Sequence, residues 1–368
     1  MGEGAAAPGE ALDPALRERV RALARRLPKV ELHVHLEGTI GEDRLRQLAR
    51  KHGVDLDPAA TQRVQRGSSF AGFIAAFVQR LNVLRDPDDW CAVVDDLLRA
   101  QSAQNAPYTE AFVTFFGALR GDYVLADVLR AIADVEQDWH NRGCALRLIA
   151  DSPRQFGEDM AMQLFRLAAA DPTGLCIGVG IGGDELVEPA GNFARAYAFA
   201  RDAGLRRTAH AGEHGGPESV RAAVDVLGAE RIGHGVAAGN HPELLGHLHA
   251  RGVAVDVCPG SNLATSAWDP ARGPHPVRRF VEHGVRIDVG SDDPAIFGTN
   301  LSEEWAELML RDGFSPHECF DLSLDSLQAA FLDDSHRARL RAHFDAELED
   351  LREDAFALEE AMQAAGAP

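Results

Sequence analysis

At 368 residues the chain is longer than most single domains but within reach of barrels of alternating strands and helices. Its 45% hydrophobic and 26% charged side chains fit a globular protein with a large core. Asp and Glu number 57 against 37 Lys and Arg, a formal net charge of −20, which argues against nucleic acid or an anionic membrane as partner because either needs a basic face.

In chain order, residues 1–14 are rich in Gly, Ala, Pro and Glu and read as a disordered tail, with nothing like an apolar signal segment; 15–368 read as a single domain. Short apolar runs rich in β-branched residues then recur at 30–36, 108–115, 145–150, 175–181, 207–210, 231–235, 253–258 and 285–290. Between them, 88–104, 124–141, 160–170, 192–203, 217–227 and 242–250 carry helical spacing. Strand then helix, repeated eight times, predicts an α/β fold of the (β/α)8 TIM-barrel type. An open doubly wound sheet is disfavoured because no glycine-rich dinucleotide fingerprint follows the first strand.

Residues 56–87 are too long for an ordinary connection and place Phe70, Phe73 and Phe77 at helical spacing. They predict an inserted helical lid over the strand ends, with each Phe either lining the site or packing on the barrel wall. Arg80 and Arg85 in this segment read as solvated. Beyond the last strand, 303–364 reads as almost wholly helical, so the barrel carries extra C-terminal helices. The five cysteines, Cys91, Cys144, Cys176, Cys258 and Cys319, are scattered and form no Cys-x-x-Cys pair, which fits a reducing cytoplasm.

The chemistry gathers at the strand ends. His33 and His35 are one residue apart, so a strand turns both rings to one face. His210 ends the fifth strand, His234 the sixth, and Asp292 and Asp293 follow the eighth. Active sites of such barrels lie at these C-terminal ends, and His with carboxylate suits zinc with one position open for water. Binuclear barrel hydrolases commonly need a carboxylated Lys on the fourth strand. This chain has only Lys29 and Lys51, neither near that strand, so one Zn2+ ion is expected.

These stretches resemble the adenosine deaminase family of metal-dependent amidohydrolases. The resemblance rests on Leu27-Pro28-Lys29-Val30-Glu31-Leu32-His33-Val34-His35-Leu36, Gly183-Asp184-Glu185 and His210-Ala211-Gly212-Glu213. It continues through Arg231-Ile232-Gly233-His234-Gly235, Cys258-Pro259-Gly260-Ser261-Asn262 and Ser291-Asp292-Asp293-Pro294, in the family's order from first strand to last. The resemblance implies a zinc-dependent hydrolase that removes the amino group at C6 of an adenine nucleoside and releases ammonia. His33, His35, His210 and Asp292 would hold the metal with a hydroxide. Glu213 would protonate purine N1, from a poorly solvated site that raises its pKa. His234 would orient the hydroxide, Asp293 would meet N7, and the Gly183 N–H would meet N3.

Three departures from the familiar adenosine enzymes bear on substrate. Glu37 stands where they carry Asp toward the ribose 5′-hydroxyl, and looks like members acting on free adenine. Phe112 replaces an Arg and Gly180 an Asp, which implies a roomier, more apolar sugar side. The substrate is thus expected to be adenosine, a 5′-modified adenosine such as 6-amino-6-deoxyfutalosine (a 5′-linked benzoate on the route to menaquinone), or, alternatively, the free base. Arg154 either faces such a carboxylate or closes a structural pair. No cluster of cations suggests a nucleotide, and the oligomeric state is open.

Overall fold

The computed structural model describes residues 12–61, 64 and 70–367. Eight strands, β1 (Val30–His35), β2 (Tyr108–Val113), β3 (Ala145–Pro153), β4 (Cys176–Gly182), β5 (Arg206–Ala211), β6 (Arg231–His234), β7 (Ala254–Val257) and β8 (Ile287–Val289), pair in parallel in chain order. Most strand positions are buried, as a parallel sheet covered by helices on its outside demands. The ring closes where the chain leaves β8. The Asp292 N–H donates to the His33 carbonyl at 2.9 Å, and the His35 N–H donates to the Asp292 carbonyl at 2.8 Å. The result is a (β/α)8 barrel.

The barrel helices follow their predicted spans closely: Pro87–Ala103, Leu125–His140, Gly157–Ala169, Ala194–Asp202, Pro217–Asp225 and Pro242–Arg251. The predicted helical run after β8 is three helices, Leu301–Leu310, Pro316–Ala329 and Asp334–Ala364. A helix before β1, Pro14–Arg26, was not expected. Of the predicted tail, residues 1–11 lie outside the described residues, Leu12 is buried, and Asp13 caps this helix by accepting from the Ala15 N–H at 3.1 Å. The helix packs on Leu301–Leu310 and Asp334–Ala364, and its apolar stripe of Leu16, Val20 and Leu23 is buried.

In the predicted lid, the helix Phe70–Asn82 lies over the strand ends. Val64, Ala76 and Ile296 form a small core there, with Phe73, Phe77 and Phe297 packed against it. The side chain of Phe70 lies outside the described residues. Arg80 is not solvated: it is 1% exposed and donates to the Ile40 carbonyl at 3.0 Å and the Ala76 carbonyl at 2.9 Å. Buried donors are retained where they are satisfied, and the bond to Ile40 ties the helix to the turn after β1 while that to Ala76 stays within the helix. Arg85 is satisfied locally, donating to the Asn82 carbonyl at 3.0 Å.

Candidate metal centre and cavity

Alternation along β1 sends His33 and His35 inward, and both are buried. His35 Nε2 lies 3.1 Å from His210 Nε2 and 3.4 Å from Asp292 Oδ1, while His33 Nε2 lies 3.5 Å from the same oxygen. Four donors at the corners of a tetrahedron with bonds of roughly 2.1 Å stand about 3.4 Å apart. Both ring nitrogens of His33, and Nδ1 of His35, have no hydrogen-bond partner among the described residues. Imidazoles held this close and this poorly bonded suit a shared cation, so the residues fit a metal ion.

Neighbours orient the donors, as metal sites require. His210 Nδ1 donates to the Ile181 carbonyl at 3.0 Å, which leaves Nε2 bare. Ser261 Oγ donates to Asp292 Oδ2 at 2.5 Å. Glu31 accepts from the Ser291 N–H at 2.8 Å and from Gln101 Nε2 at 3.0 Å, fixing the turn that carries Asp292. Below His33, Asp256 Oδ2 stands 3.7 Å from Nδ1 and accepts from Arg231 at 2.9 Å. Two residues of the site, His234 at φ 64° and Asp292 at φ 59°, have left-handed backbone that a side chain makes costly. Neither lysine is near: Lys29 donates to the Ala24 and Leu27 carbonyls at 2.9 Å, and Lys51 pairs with Asp86 and Asp89 at 2.8 and 2.7 Å.

Glu213 follows β5 on a loop held by another carboxylate. Glu185 accepts backbone N–H bonds from Gly212 at 2.6 Å, Glu213 at 3.0 Å, His214 at 3.1 Å and Gly215 at 2.8 Å. Glu213 Oε2 lies 3.6 Å from His234 Nε2 and 3.7 Å from His214 Nδ1, and Oε1 lies 3.3 Å from the Thr265 hydroxyl. Burial pushes the Glu213 pKa up, but His234 and His214 outweigh it and hold it below the usual carboxylate value. The expected upward shift is therefore absent from the free protein, because burial did not come alone. Its neighbour His214 is raised to about 9, first by its hydrogen bond to Glu213.

Asp293 is 1% exposed, and neither carboxyl oxygen has a partner among the described residues. It fits because residue 38 is glycine: a Cβ there would lie 1.9 Å from Asp293 Oδ1. Burial, then the Asp292 charge, pushes its pKa well above the ordinary value, which favours the protonated carboxyl.

A cavity of about 1030 Å³, counting its open mouth, joins these groups. His35, His210, Glu213, His234, Asp292, Asp293 and Gly183 line its floor. Phe73, Ile74, Phe77, Val78 and Leu81 of the lid helix form one wall, and Phe116 and Phe156 stand at the mouth with ring centroids 5.1 Å apart. Phe77 sets its edge on His35 at 5.9 Å. Phe73 both lines the cavity and stacks on Phe297 at 5.3 Å.

Two other expected contacts are placed differently. Glu37 is fully buried behind the lining, accepting from the Thr114 N–H at 2.8 Å, and burial raises its pKa to about 7. Arg154 is also fully buried, donating to the His210 carbonyl and, at 3.1 Å, to the Glu188 carbonyl. It braces the end of β5.

Phe112 lies under the two β1 histidines, 4.8 Å from His33 and 5.1 Å from His35. Gly180 does not leave empty space. Cβ atoms at Gly180 and Gly182 would each lie 2.8 Å from a carboxyl oxygen of Asp151, which reaches across from β3. Asp151 lines the cavity, its Oδ1 has no partner among the described residues, and burial pushes its pKa up to about 7. The expected loss of a carboxylate from this wall is thus corrected: β3 supplies one. Its place after a predicted strand end hid it.

A family model described as adenosine deaminase matches residues 28–347. Aminodeoxyfutalosine deaminase of Streptomyces avermitilis is 35% identical over 326 residues, covering 87% of this chain and 90% of the relative. An adenine deaminase of Rhizobium leguminosarum bv. trifolii is 33% identical over 320 residues, covering 86% and 98%. Among solved structures, an amidohydrolase of Burkholderia ambifaria with bound Zn superposes with a TM-score of 0.83 at 28% identity, covering 95% of this chain and 98% of that one. An adenine deaminase of Arthrobacter aurescens gives 0.80 at 27% identity, with 89% and 99% covered.

Proposed function

Since this chain belongs to the adenosine deaminase family, we propose that it hydrolyses the C6 amino group of an adenine nucleoside bearing a 5′ substituent, 6-amino-6-deoxyfutalosine being the leading candidate. It is a hydrolytic deaminase of the amidohydrolase type acting on adenine-like substrates. The observation behind the finer reading is the cavity itself. Its apolar wall runs from the ligands past the lid helix to the Phe116–Phe156 pair, more lining than a free base would cover. Arg120 stands over Phe116 at 5.4 Å, paired with Asp122 at 2.6 Å, and is the cation at the mouth that an acidic aromatic substituent would meet in competition with Asp122.

His33, His35, His210 and Asp292 would hold one zinc ion. When bound, the ion supplies Lewis acidity that lowers the pKa of water from 15.7 to about 7. The protein's own groups manage protons on the purine. Glu213 must hold a proton to meet N1, so a substrate whose N1 accepts that proton raises the Glu213 pKa on binding. Asp293 would donate to N7 in the protonated form that its burial favours, and the two bonds would withdraw electron density from the ring so that C6 accepts the attacking oxygen. Gly183, at φ +83°, turns its backbone to the cavity for N3. The lid helix excludes bulk water from these bonds.

Free adenine is the second reading, favoured by the 33% identical adenine deaminase. Ammonia release from 6-amino-6-deoxyfutalosine, adenosine and adenine at equal concentration separates the two. Preference for the modified nucleoside is expected; preference for adenine would assign the mouth no role in binding. No ammonia from any of them, with zinc bound, would overturn the deaminase reading.

A further inference from the structure

The crossover from β7 to β8 carries a run of hydrogen bonds whose direction is set at one end. Val277 offers a backbone N–H, which can only donate, 3.3 Å from His275 Nδ1. That nitrogen is the acceptor, so neutral His275 carries its proton on Nε2. His275 Nε2 lies 3.1 Å from Asn262 Oδ1 and donates to it, which turns the amide NH2 the other way. Asn262 Nδ2 then donates to His234 Nδ1 at 3.0 Å. His234 is left with its proton on Nε2, the nitrogen that lies 3.6 Å from Glu213 Oε2 at the cavity floor. His275, Asn262 and His234 are 2%, 0% and 1% exposed, so water is kept from competing for these bonds. Burial, then the charge of Arg311, pushes the His275 pKa down to about 3, which keeps it neutral.

We propose that Asn262 and His275 are positioning residues that lock His234 in its Nε2–H tautomer, making His234 a hydrogen-bond donor to the reaction centre and excluding it from the metal. Position alone does not separate it from the ligands, since His33, His210, His234 and Asp292 all place a donor atom within 4.8 Å of one another. A metal takes a bare imidazole nitrogen. His210 has one, because its Nδ1 donates to a backbone carbonyl, which can only accept. His234 has none facing the cavity, because its chain of bonds ends on a backbone N–H. The two rings differ in role because their supports end on opposite backbone groups. An Nε2–H can donate to oxygen that develops negative charge at C6, and it cannot take a proton from water. The role at C6 rests on the deaminase reading; the tautomer does not.

The test is proton–nitrogen correlation of histidine side chains in protein labelled with 15N-histidine, metal-free and zinc-loaded. The His234 signals are assigned by their loss in His234→Gln. Wild type should show a protonated Nε2 and a bare Nδ1 on both His234 and His275; an Nδ1–H tautomer at His234 would overturn the proposal. Asn262→Asp replaces the donating amide with a group that only accepts, so His234 should invert to Nδ1–H. With that inversion, ammonia release at saturating substrate should fall by about 10²–10³, the usual loss for one such donor, while KM moves less. An unchanged tautomer, or turnover within threefold of wild type after inversion, would overturn it. Should Asn262→Asp fail to fold, His275→Gln, which still donates to Asn262, should keep the tautomer, and His275→Leu should mix it. Equal spectra from those two variants would count against the relay. Because the resting protein is read without substrate, loss of the deaminase reading leaves this result intact.

Discussion

Glu213, Asp292 and Asp293 are three carboxyls within one cavity, and their neighbours give them different work. Glu213→Gln should retain metal and lose nearly all turnover, a fall of about 10³ or more, because the amide can donate a hydrogen bond to N1 but cannot give up its proton to it; ammonia release at saturating substrate checks this. Asp292→Ala should instead lose metal, read directly by metal analysis of the purified variant. Wild-type metal content would remove Asp292 from the ligand set. Asp293→Asn keeps a donor and should stay within roughly tenfold of wild-type kcat/KM, where Asp293→Ala should lose about 10²–10³. A pH signature comes from His214. Its folded pKa of about 9 lies above the ordinary 6.5, so its stabilising contribution is complete below pH 6.5 and is lost as pH rises through 9. The Tm difference between wild type and His214→Gln should therefore shrink between those pH values; a constant difference would mean the ion pair does not form.

The strands and barrel helices were legible because each buries a contiguous apolar run, and burial sets the local pattern. The candidate ligands stood out because they sit at strand ends and match a family's motifs in order, and the structure brings their donor atoms together. What was hidden depends on contacts that no spacing encodes. Glu31 meets Ser291 across 260 residues, and Arg231 meets Glu110 across 121. Asp151 was missed because Asp151-Ser152-Pro153 reads as a turn, whereas β3 runs through it to Pro153. Arg80 reads as a surface cation on an amphipathic helix, yet two backbone carbonyls satisfy it inside. Its removal is a test of the lid as an element. Arg80→Met keeps volume and loses both donors, so the helix Phe70–Asn82 should loosen and KM rise by about tenfold, with kcat less affected. An unchanged KM would show that the helix stays in place through its phenylalanines alone.

For the whole molecule, the charge of −20 argues against a polyanionic partner, and no helix among the described residues is long and apolar enough to cross a membrane. The metal bears on global stability because its donors converge only in the folded chain. An ion bound at about 1,000 times its Kd adds roughly 4 kcal/mol. Chelation should therefore lower Tm by roughly 5 °C at this chain length, with recovery on adding zinc; an unchanged Tm would show that the histidines do not share an ion in solution.

The seam of the barrel has a further meaning for biosynthesis. The hydrogen bonds that close the ring join His33 and His35 to Asp292, which are also three of the four proposed ligands. Closing the ring and completing the coordination sphere are therefore one event, and it needs both ends of a segment some 260 residues long. A ribosome that has released only the first six strands has made His33, His35 and His210 but cannot offer the full donor set. Assembly of the full proposed donor set is thus deferred until the barrel is whole.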